Sequence, residues 1–320
     1  MLYNFEKPKD AYQIIPQFLT EKGPATFPPY VTFQLVDKCN FKCIMCPRTY
    51  IESTNTHFDL DLFKKAIDEI SLQGSLIRFI GFDEPFLYKH IKEAISYVKS
   101  KKLILHITTN GSLLNSEMRE HIVKEKVDSM IFSFQGLSKE EYCAMRAVPL
   151  STYDKVMSNV RSLFHERQNK LPYLKLTTTI TSRDDLSCEE EFRREHMQFL
   201  DEIQITGFTH FVQVDEYFGR NSIWNELKLK PQKLIKNKKC FYPNYDMIVR
   251  ANGGVYPCCG SFTEEMKIGN ISTQSIREVW DSMELAKVRE KTCSGDLEHF
   301  SDCKYCPIRY EDEEIKNPVL

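Results

Sequence analysis

Several things are missing from this 320-residue chain. No stretch approaches the roughly 20 consecutive apolar residues that would span a bilayer, so a membrane protein is not expected. The opening residues, Met1 to Asp10, hold no apolar run that could act as a signal peptide. Charge of one sign is absent too: 43 Lys and Arg face 45 Asp and Glu, a net charge of −2. Neither nucleic acid nor an anionic membrane is therefore an expected partner. Internal repeats and low-complexity tracts are lacking, which removes any basis for a repeat architecture. Hydrophobic residues at 42% and charged residues at 28% describe an ordinary globular protein. The length accommodates one large domain and a small appended one. A cytoplasmic location is expected.

What the chain does have is eleven cysteines. In a reducing compartment a disulfide framework is not expected, so metal binding and catalysis come first. Cys39, Cys43 and Cys46 sit together, and Cys258, Cys259, Cys293, Cys303 and Cys306 gather late, with Cys240 ahead of them. Cys143 and Cys188 stand alone and are expected to be small buried residues.

Strand-like and helix-like segments alternate over the first two-thirds. Residues 31–36, 76–82, 103–108, 130–134, 174–180 and 208–214 read as strands. Between them, Leu60, Phe63, Ile67 and Ile70 recur at helical spacing behind Asp59 as N-cap. Further helices are expected over 91–98, after Asn115-Ser116, over 152–168 and over 189–200. Six strand–helix units imply a parallel sheet with right-handed crossovers, open or closed into a barrel. Catalytic groups then gather at the C-terminal strand ends. Near residue 222 the pattern changes. A lysine-rich stretch, 228–239, reads as a solvated linker. A hairpin follows, with Tyr245 to Arg250, the turn Asn252-Gly253-Gly254 and Val255-Tyr256. One helix over 275–290 and a cysteine-rich end complete it. The expected organisation is an extension (1–29), a partial barrel (30–221), a linker (222–239) and a small α+β domain (240–320).

Cys39-Asn40-Phe41-Lys42-Cys43-Ile44-Met45-Cys46 has the spacing C-x3-C-x2-C, directly after the first strand. Three thiolates can hold three corners of a [4Fe–4S] cube and leave one iron open to a small molecule. Three cysteines with His57 as a fourth ligand would also suit zinc.

C-x3-C-x2-C at this place in an α/β barrel resembles the motif of the radical S-adenosylmethionine (SAM) superfamily. Other segments follow in the family's order. Gly81-Phe82-Asp83-Glu84-Pro85 resembles the Gly-Gly-Glu-Pro motif that holds the SAM amino group, and Thr108-Thr109-Asn110-Gly111 ends strand three as members often do. Ser133-Phe134-Gln135-Gly136 resembles a Ser-Ile-Asp-Gly motif near the SAM ribose and carboxylate. Tyr142 to Arg146 resembles a segment whose arginine pairs with that carboxylate. The resemblance implies a (β/α)6 partial barrel and a cluster on Cys39, Cys43 and Cys46. It implies SAM contacts from Met45, Gly81, Asp83, Glu84, Pro85, Asn110, Ser133, Gln135 and Arg146. In the family the open iron binds SAM, and an electron from the cluster releases a 5′-deoxyadenosyl radical that takes a hydrogen atom from the substrate. Met45 stands where the family usually has an aromatic, and Asp83 and Gln135 replace Gly and Asp.

Cys240-x12-Gly253-x4-Cys258 and Cys303-x2-Cys306 offer four thiolates, enough for a fully ligated [4Fe–4S] cluster or for zinc. With Ile268 to Ile271, Ile276 to Trp280 and Val288-Arg289, this end resembles the SPASM or twitch extension of radical SAM enzymes. No cysteine follows Cys306, which favours the shorter twitch form with one auxiliary cluster. Cys293 is the substitute ligand. Cys259 is either a small buried residue or a hydrogen-atom donor to a substrate radical.

Twitch-type members include enzymes that dehydrogenate an aminocyclitol, with similar auxiliary-cysteine spacing. The expected substrate is therefore a small polar molecule such as a sugar or aminocyclitol, oxidised or epimerised at a carbinol carbon. Asp215, Glu216 and Arg220 are candidates to bind or deprotonate its hydroxyl, or else form a solvated loop. No leader-peptide-binding domain is expected in the 30 or so residues before strand one. A flavodoxin- or ferredoxin-type electron donor is implied. Two alternatives stand: a peptide- or protein-modifying radical SAM enzyme, and a non-catalytic iron–sulfur or zinc protein.

Overall fold

The structure, a computed structural model, describes residues 23–49, 52–180, 188–207, 233–261, 263–304, 306 and 309–311. Six strands alternate with helices: β1 (Tyr30–Phe33), α1 (Leu60–Ser71), β2 (Leu76–Phe79), α2 (Ile91–Ser100), β3 (Leu105–Thr109), α3 (Ser116–Lys124), β4 (Ser129–Ser133), α4 (Lys139–Arg146), α5 (Leu150–Glu166), β5 (Tyr173–Ile180), α6 (Glu189–His196) and β6 (Glu202–Gly207). Asp59 caps α1 through Leu62 N at 2.8 Å, and Asn115 caps α3 through Met118 N at 2.9 Å. These caps satisfy backbone donors that a helix start leaves over.

The C-terminal part contributes β7 (Lys233–Leu234), β8 (Asp246–Val249), β9 (Gly254–Tyr256), β10 (Gly269–Asn270), α7 (Ile276–Trp280), α8 (Met283–Ser294), α9 (Ser301–Lys304) and β11 (Tyr310–Glu311). Among the described residues one sheet runs β10-β9-β8-β1-β2-β3-β4-β5-β6. The strands β1 to β6 are parallel, and β8 joins β1 in parallel with Tyr30 opposite Asp246 and Phe33 opposite Val249. The small domain thus extends the barrel sheet. The N-terminal extension docks on it as well: Ala25 N donates to Asn244 O (2.9 Å), and Trp280 Nε1 donates to Ala25 O (2.8 Å). Among the described residues no helix is long and apolar enough to cross a membrane.

The two faces of the sheet differ. On one, Phe33, Ile77, Phe79, Ile107 and Phe132 pack with Phe63, Ile67 and Ile70 of α1 and Ile95 and Val98 of α2 in the main core. On the other, Thr32, Arg78, His106 and Ser129 stand in register across β1 to β4. Lys175 on β5 lies beside Glu202 on β6. Parallel strands are normally near-continuous apolar runs, so this buried polar row is a departure from the expected pattern. Tyr30, Leu76 and Tyr245 form a second, small apolar cluster at the strand starts.

Some boundaries differ from expectation. The sixth strand is Glu202–Gly207, whereas 208–214 lies outside the described residues. The helix expected over 189–200 ends at His196 and tightens into a 3-10 turn, Met197–Phe199. The single helix expected over 275–290 is two, because Ser282 caps a new helix through Leu285 N at 3.2 Å. Within the lysine-rich stretch, Lys233–Leu234 pair antiparallel with Tyr310–Glu311. Cys143 is buried as expected, but Cys188 is exposed where α6 begins.

Candidate active site

The Cys39–Cys46 loop leaves β1 at the C-terminal end of the sheet. Its path is held by Cys46 N to Cys43 O (3.1 Å), Thr49 Oγ1 to Cys43 O (2.7 Å) and the Arg48–Asp37 ion pair at 2.5 Å. Asn110, at the end of β3, reaches Cys39 Sγ at 4.0 Å and donates to Asn40 Oδ1 at 2.9 Å. Arg146, 6% exposed at the end of α4, donates from Nη1 to Cys43 Sγ at 3.4 Å and from Nη2 to the Ser133 carbonyl. Loop and helix are further tied by Ile44 N to Met145 O at 3.0 Å. Met45 is half-buried in this loop. Burial pushes the Cys39 thiol up to about 12 and Cys46 up to about 11. A bound metal reverses this, since coordinating thiols are deprotonated.

Glu84 caps the turn Pro85–Leu87 and is buried. Its Oε1 accepts from Thr109 Oγ1 (2.6 Å) and its Oε2 from Asn110 N (2.8 Å). Burial nevertheless raises its carboxyl to about 7, against the pull of those hydrogen bonds. Burial also raises Asp83 well above the usual carboxylate range. At Gly81 a Cβ would lie 2.8 Å from Asp83 Oδ1 and 2.9 Å from Gln34 Cγ, so only glycine leaves this cradle open. Buried polar atoms around the loop that lack hydrogen-bond partners include Arg48 Nη2, Asp83 Oδ1, Gln135 Oε1, Tyr142 Oη and Arg146 Nε.

At the other end of β8 and β9, Cys240, Cys258, Cys303 and Cys306 line one small cavity with Gly260, Met266 and Asp302 among its walls. A Cβ on Gly260 would sit 3.7 Å from Cys306 Sγ and 3.9 Å from Cys258 Sγ. Burial pushes Cys240 up to about 12 and raises Cys258 and Cys303. Cys293 lies outside the cavity lining, with its Sγ 3.8 Å from Cys240 O and from Asn244 Oδ1. Cys259 is exposed to solvent, not buried, yet surrounding atoms raise its thiol, and Cys258, Asp246, Cys306 and Arg78 are in electrostatic range. Among the described residues no three metal-binding side chains converge on one ion.

The Radical SAM superfamily model matches residues 33–185, and SPASM, an iron–sulfur cluster-binding domain, matches residues 240–307. The chain belongs to the radical SAM superfamily. A tungsten-containing aldehyde ferredoxin oxidoreductase cofactor-modifying protein of Pyrococcus furiosus is 24% identical over 288 residues, 79% of this chain and 81% of that protein. The S-adenosyl-L-methionine-dependent 2-deoxy-scyllo-inosamine dehydrogenase of Niallia circulans is 20% identical over 91% of this chain and 97% of its own length. Among solved structures, Streptococcus suis SuiB bound to precursor peptide SuiA superposes with a TM-score of 0.65 at 15% identity, covering 88% of this chain and 75% of SuiB.

As a radical SAM enzyme the protein uses a SAM-binding [4Fe–4S] cluster, an auxiliary [4Fe–4S] cluster and SAM. The zinc and non-catalytic alternatives thereby fall. The residues present fit these groups: three thiols on one loop, four around one cavity, and orphaned acceptors and a guanidinium donor suited to a zwitterionic amino acid. Of the radical SAM enzyme's expected substrate residues, Asp215, Glu216 and Arg220 lie outside the described residues. An open pocket of about 570 Å³ beside α5, lined by Ser138, Arg161 and His165, touches none of the expected site residues. Sequence reasoning missed the inner row of Arg78, His106, Lys175 and Asp246. Its signal was available: charged or imidazole side chains inside otherwise apolar parallel strands.

Proposed function

We propose that this radical SAM enzyme abstracts a hydrogen atom from a carbinol carbon of a small polar substrate of the sugar or aminocyclitol type, leading to oxidation or epimerisation. The observation that carries the reading is the row of polar side chains Thr32, Arg78, His106, Ser129 and Lys175 on one face of a parallel sheet whose C-terminal end bears the C-x3-C-x2-C loop. Similarity to a 2-deoxy-scyllo-inosamine dehydrogenase over most of both chains supports the substrate class. Cys39, Cys43 and Cys46 hold the SAM-binding cluster, and Cys240, Cys258, Cys303 and Cys306 the auxiliary one. Bound there, cluster and SAM supply a 5′-deoxyadenosyl radical, and the auxiliary cluster supplies an electron acceptor.

The chain's own residues orient and shield. Asp83 Oδ1, in the space Gly81 leaves open, accepts from the SAM amino group, Gln135 Oε1 accepts from its ribose, and Arg146 pairs with its carboxylate, a planar contact that arginine suits. Glu84 and Asn110 lock the ends of β2 and β3 together behind that site. Cys259, next in sequence to Cys258 and exposed, is the candidate to return a hydrogen atom in an epimerisation. A flavodoxin or ferredoxin in a reducing compartment would deliver the priming electron.

The test is anaerobic incubation with SAM, dithionite and 2-deoxy-scyllo-inosamine, with mass spectrometry for 5′-deoxyadenosine and the ketone. Formation of both, lost in Cys43→Ala, supports the reading. 5′-Deoxyadenosine without any cyclitol product, together with a modified peptide from a peptide library, would replace it with the peptide reading.

A further inference from the structure

We infer that Arg78 and Asp246 form a substrate-positioning pair for a ligand rich in hydroxyl or ammonium donors and free of anionic groups. The inference rests on the small-polar-substrate reading above and specifies it.

Arg78 on β2 and Asp246 on β8 reach toward each other across β1, with Nη2 to Oδ2 at 2.5 Å. The guanidinium is also held by Thr32, Nε to Oγ1 at 2.9 Å, and lies 5.0 Å from the Tyr30 ring centre. Asp246 is thus fixed by one oxygen. Its side chain is only 3% exposed, and its second oxygen, Oδ1, has no hydrogen-bond partner. A buried carboxylate oxygen without a donor is costly, so a ligand group that reaches it and donates to it is stabilised there. The pair stands on the side nearest the auxiliary cysteines, with both Asp246 and Arg78 within electrostatic range of Cys259.

The charges on this face select further. Lys175 is matched by Glu202 at 2.7 Å, and Tyr173 Oη donates to the other Glu202 oxygen at 3.0 Å. Arg78 is matched by Asp246. An incoming phosphate or carboxylate would have to compete with a carboxylate for each of these cations, whereas a donor meets Asp246 Oδ1 directly.

The test uses the cluster-loaded full chain under anaerobic, non-reducing conditions, so that binding is read without turnover. Calorimetric titration compares native protein and Asp246→Asn with 2-deoxy-scyllo-inosamine, its ketone, and myo-inositol 1-phosphate. Asparagine keeps an oxygen for Arg78 and turns its amide NH2 toward the free position. Native protein is expected to bind the alcohol and reject the phosphate. The variant should lose alcohol binding by on the order of 10- to 100-fold while gaining relative preference for the ketone, an inversion that mere loosening of the fold would not produce. Should Asp246→Asn misfold, as iron content and circular dichroism would reveal, the native comparison of amine against phosphate decides alone, and tighter phosphate binding overturns the inference. Equal alcohol binding by native and folded variant overturns the pair but leaves the substrate reading intact. If native protein binds none of the cyclitols yet forms 5′-deoxyadenosine with another substrate, the substrate reading itself fails and the pair with it.

Discussion

His106 should make the fold lose stability on mild acidification by an amount that can be worked out in advance. It is 1% exposed, with Nδ1 2.6 Å from Ser129 Oγ and Nε2 3.0 Å from Thr108 Oγ1. Burial, reinforced by Arg78 and Lys175, lowers its pKa from 6.5 to about 3. The folded imidazole is therefore neutral throughout the working range. Unfolding lets it take up a proton once the pH drops below about 6.5, so stability falls as pH falls. At about pH 5.5 the loss is about 1.4 kcal/mol relative to pH 8. That figure depends on the unfolded value alone, as long as the folded one stays well below 5.5. Urea denaturation of native protein and His106→Gln at both pH values isolates it, because cluster lability and other titrating groups are common to both. The native protein should lose about 1.4 kcal/mol more than the variant between the two conditions. Parallel pH dependences, or an NMR titration of His106 near 6.5, would show that the buried polar row accommodates a cation there and that its neutrality is wrongly argued.

Other outcomes follow from the two cysteine sites and the loops around them. Native protein should bind about eight irons per chain and Cys43→Ala about four, while Cys293→Ala, outside the cavity, should keep the full complement by iron assay. Arg146→Lys cannot serve Cys43 Sγ and the Ser133 carbonyl together, and SAM affinity by equilibrium dialysis should fall on the order of 10- to 100-fold. Unchanged affinity would free Arg146 of that role. Gly136 has φ +77°, and an added Cβ would lie 2.4 Å from Glu141 Cβ. Gly136→Ala should therefore lower stability by roughly 2 kcal/mol or more in denaturant titration, through left-handed strain and disturbance of the Ser138–Glu141 capping box.

The first cluster loop was legible because its chemistry is local: three thiols within eight residues need only one turn of chain to meet. The strand order and the helices α1, α2, α3 and α5 were legible from periodicity and caps such as Asp59 and Asn115. The separate helix α4 was not, because Tyr142 to Arg146 reads as a motif and its Ser138–Glu141 capping box went unnoticed. The break between α7 and α8 hangs on Ser282, a single cap inside an otherwise helical pattern. Least legible was the polar row. Arg78, His106, Lys175 and Asp246 come from four strands spread over 169 residues, and only the sheet register aligns them.

The parallel pairing of β8 with β1 has a consequence for the order of events. The strand that launches the Cys39–Cys46 loop is an open edge until residues 246–249 arrive more than two hundred positions later. Gln34 N, just past β1, waits for Val249 O, to which it donates at 2.9 Å. An incomplete chain therefore exposes a sticky edge beside the Cys39–Cys46 thiols. A fault in the C-terminal domain then becomes a fault in the barrel that carries the first cysteine loop.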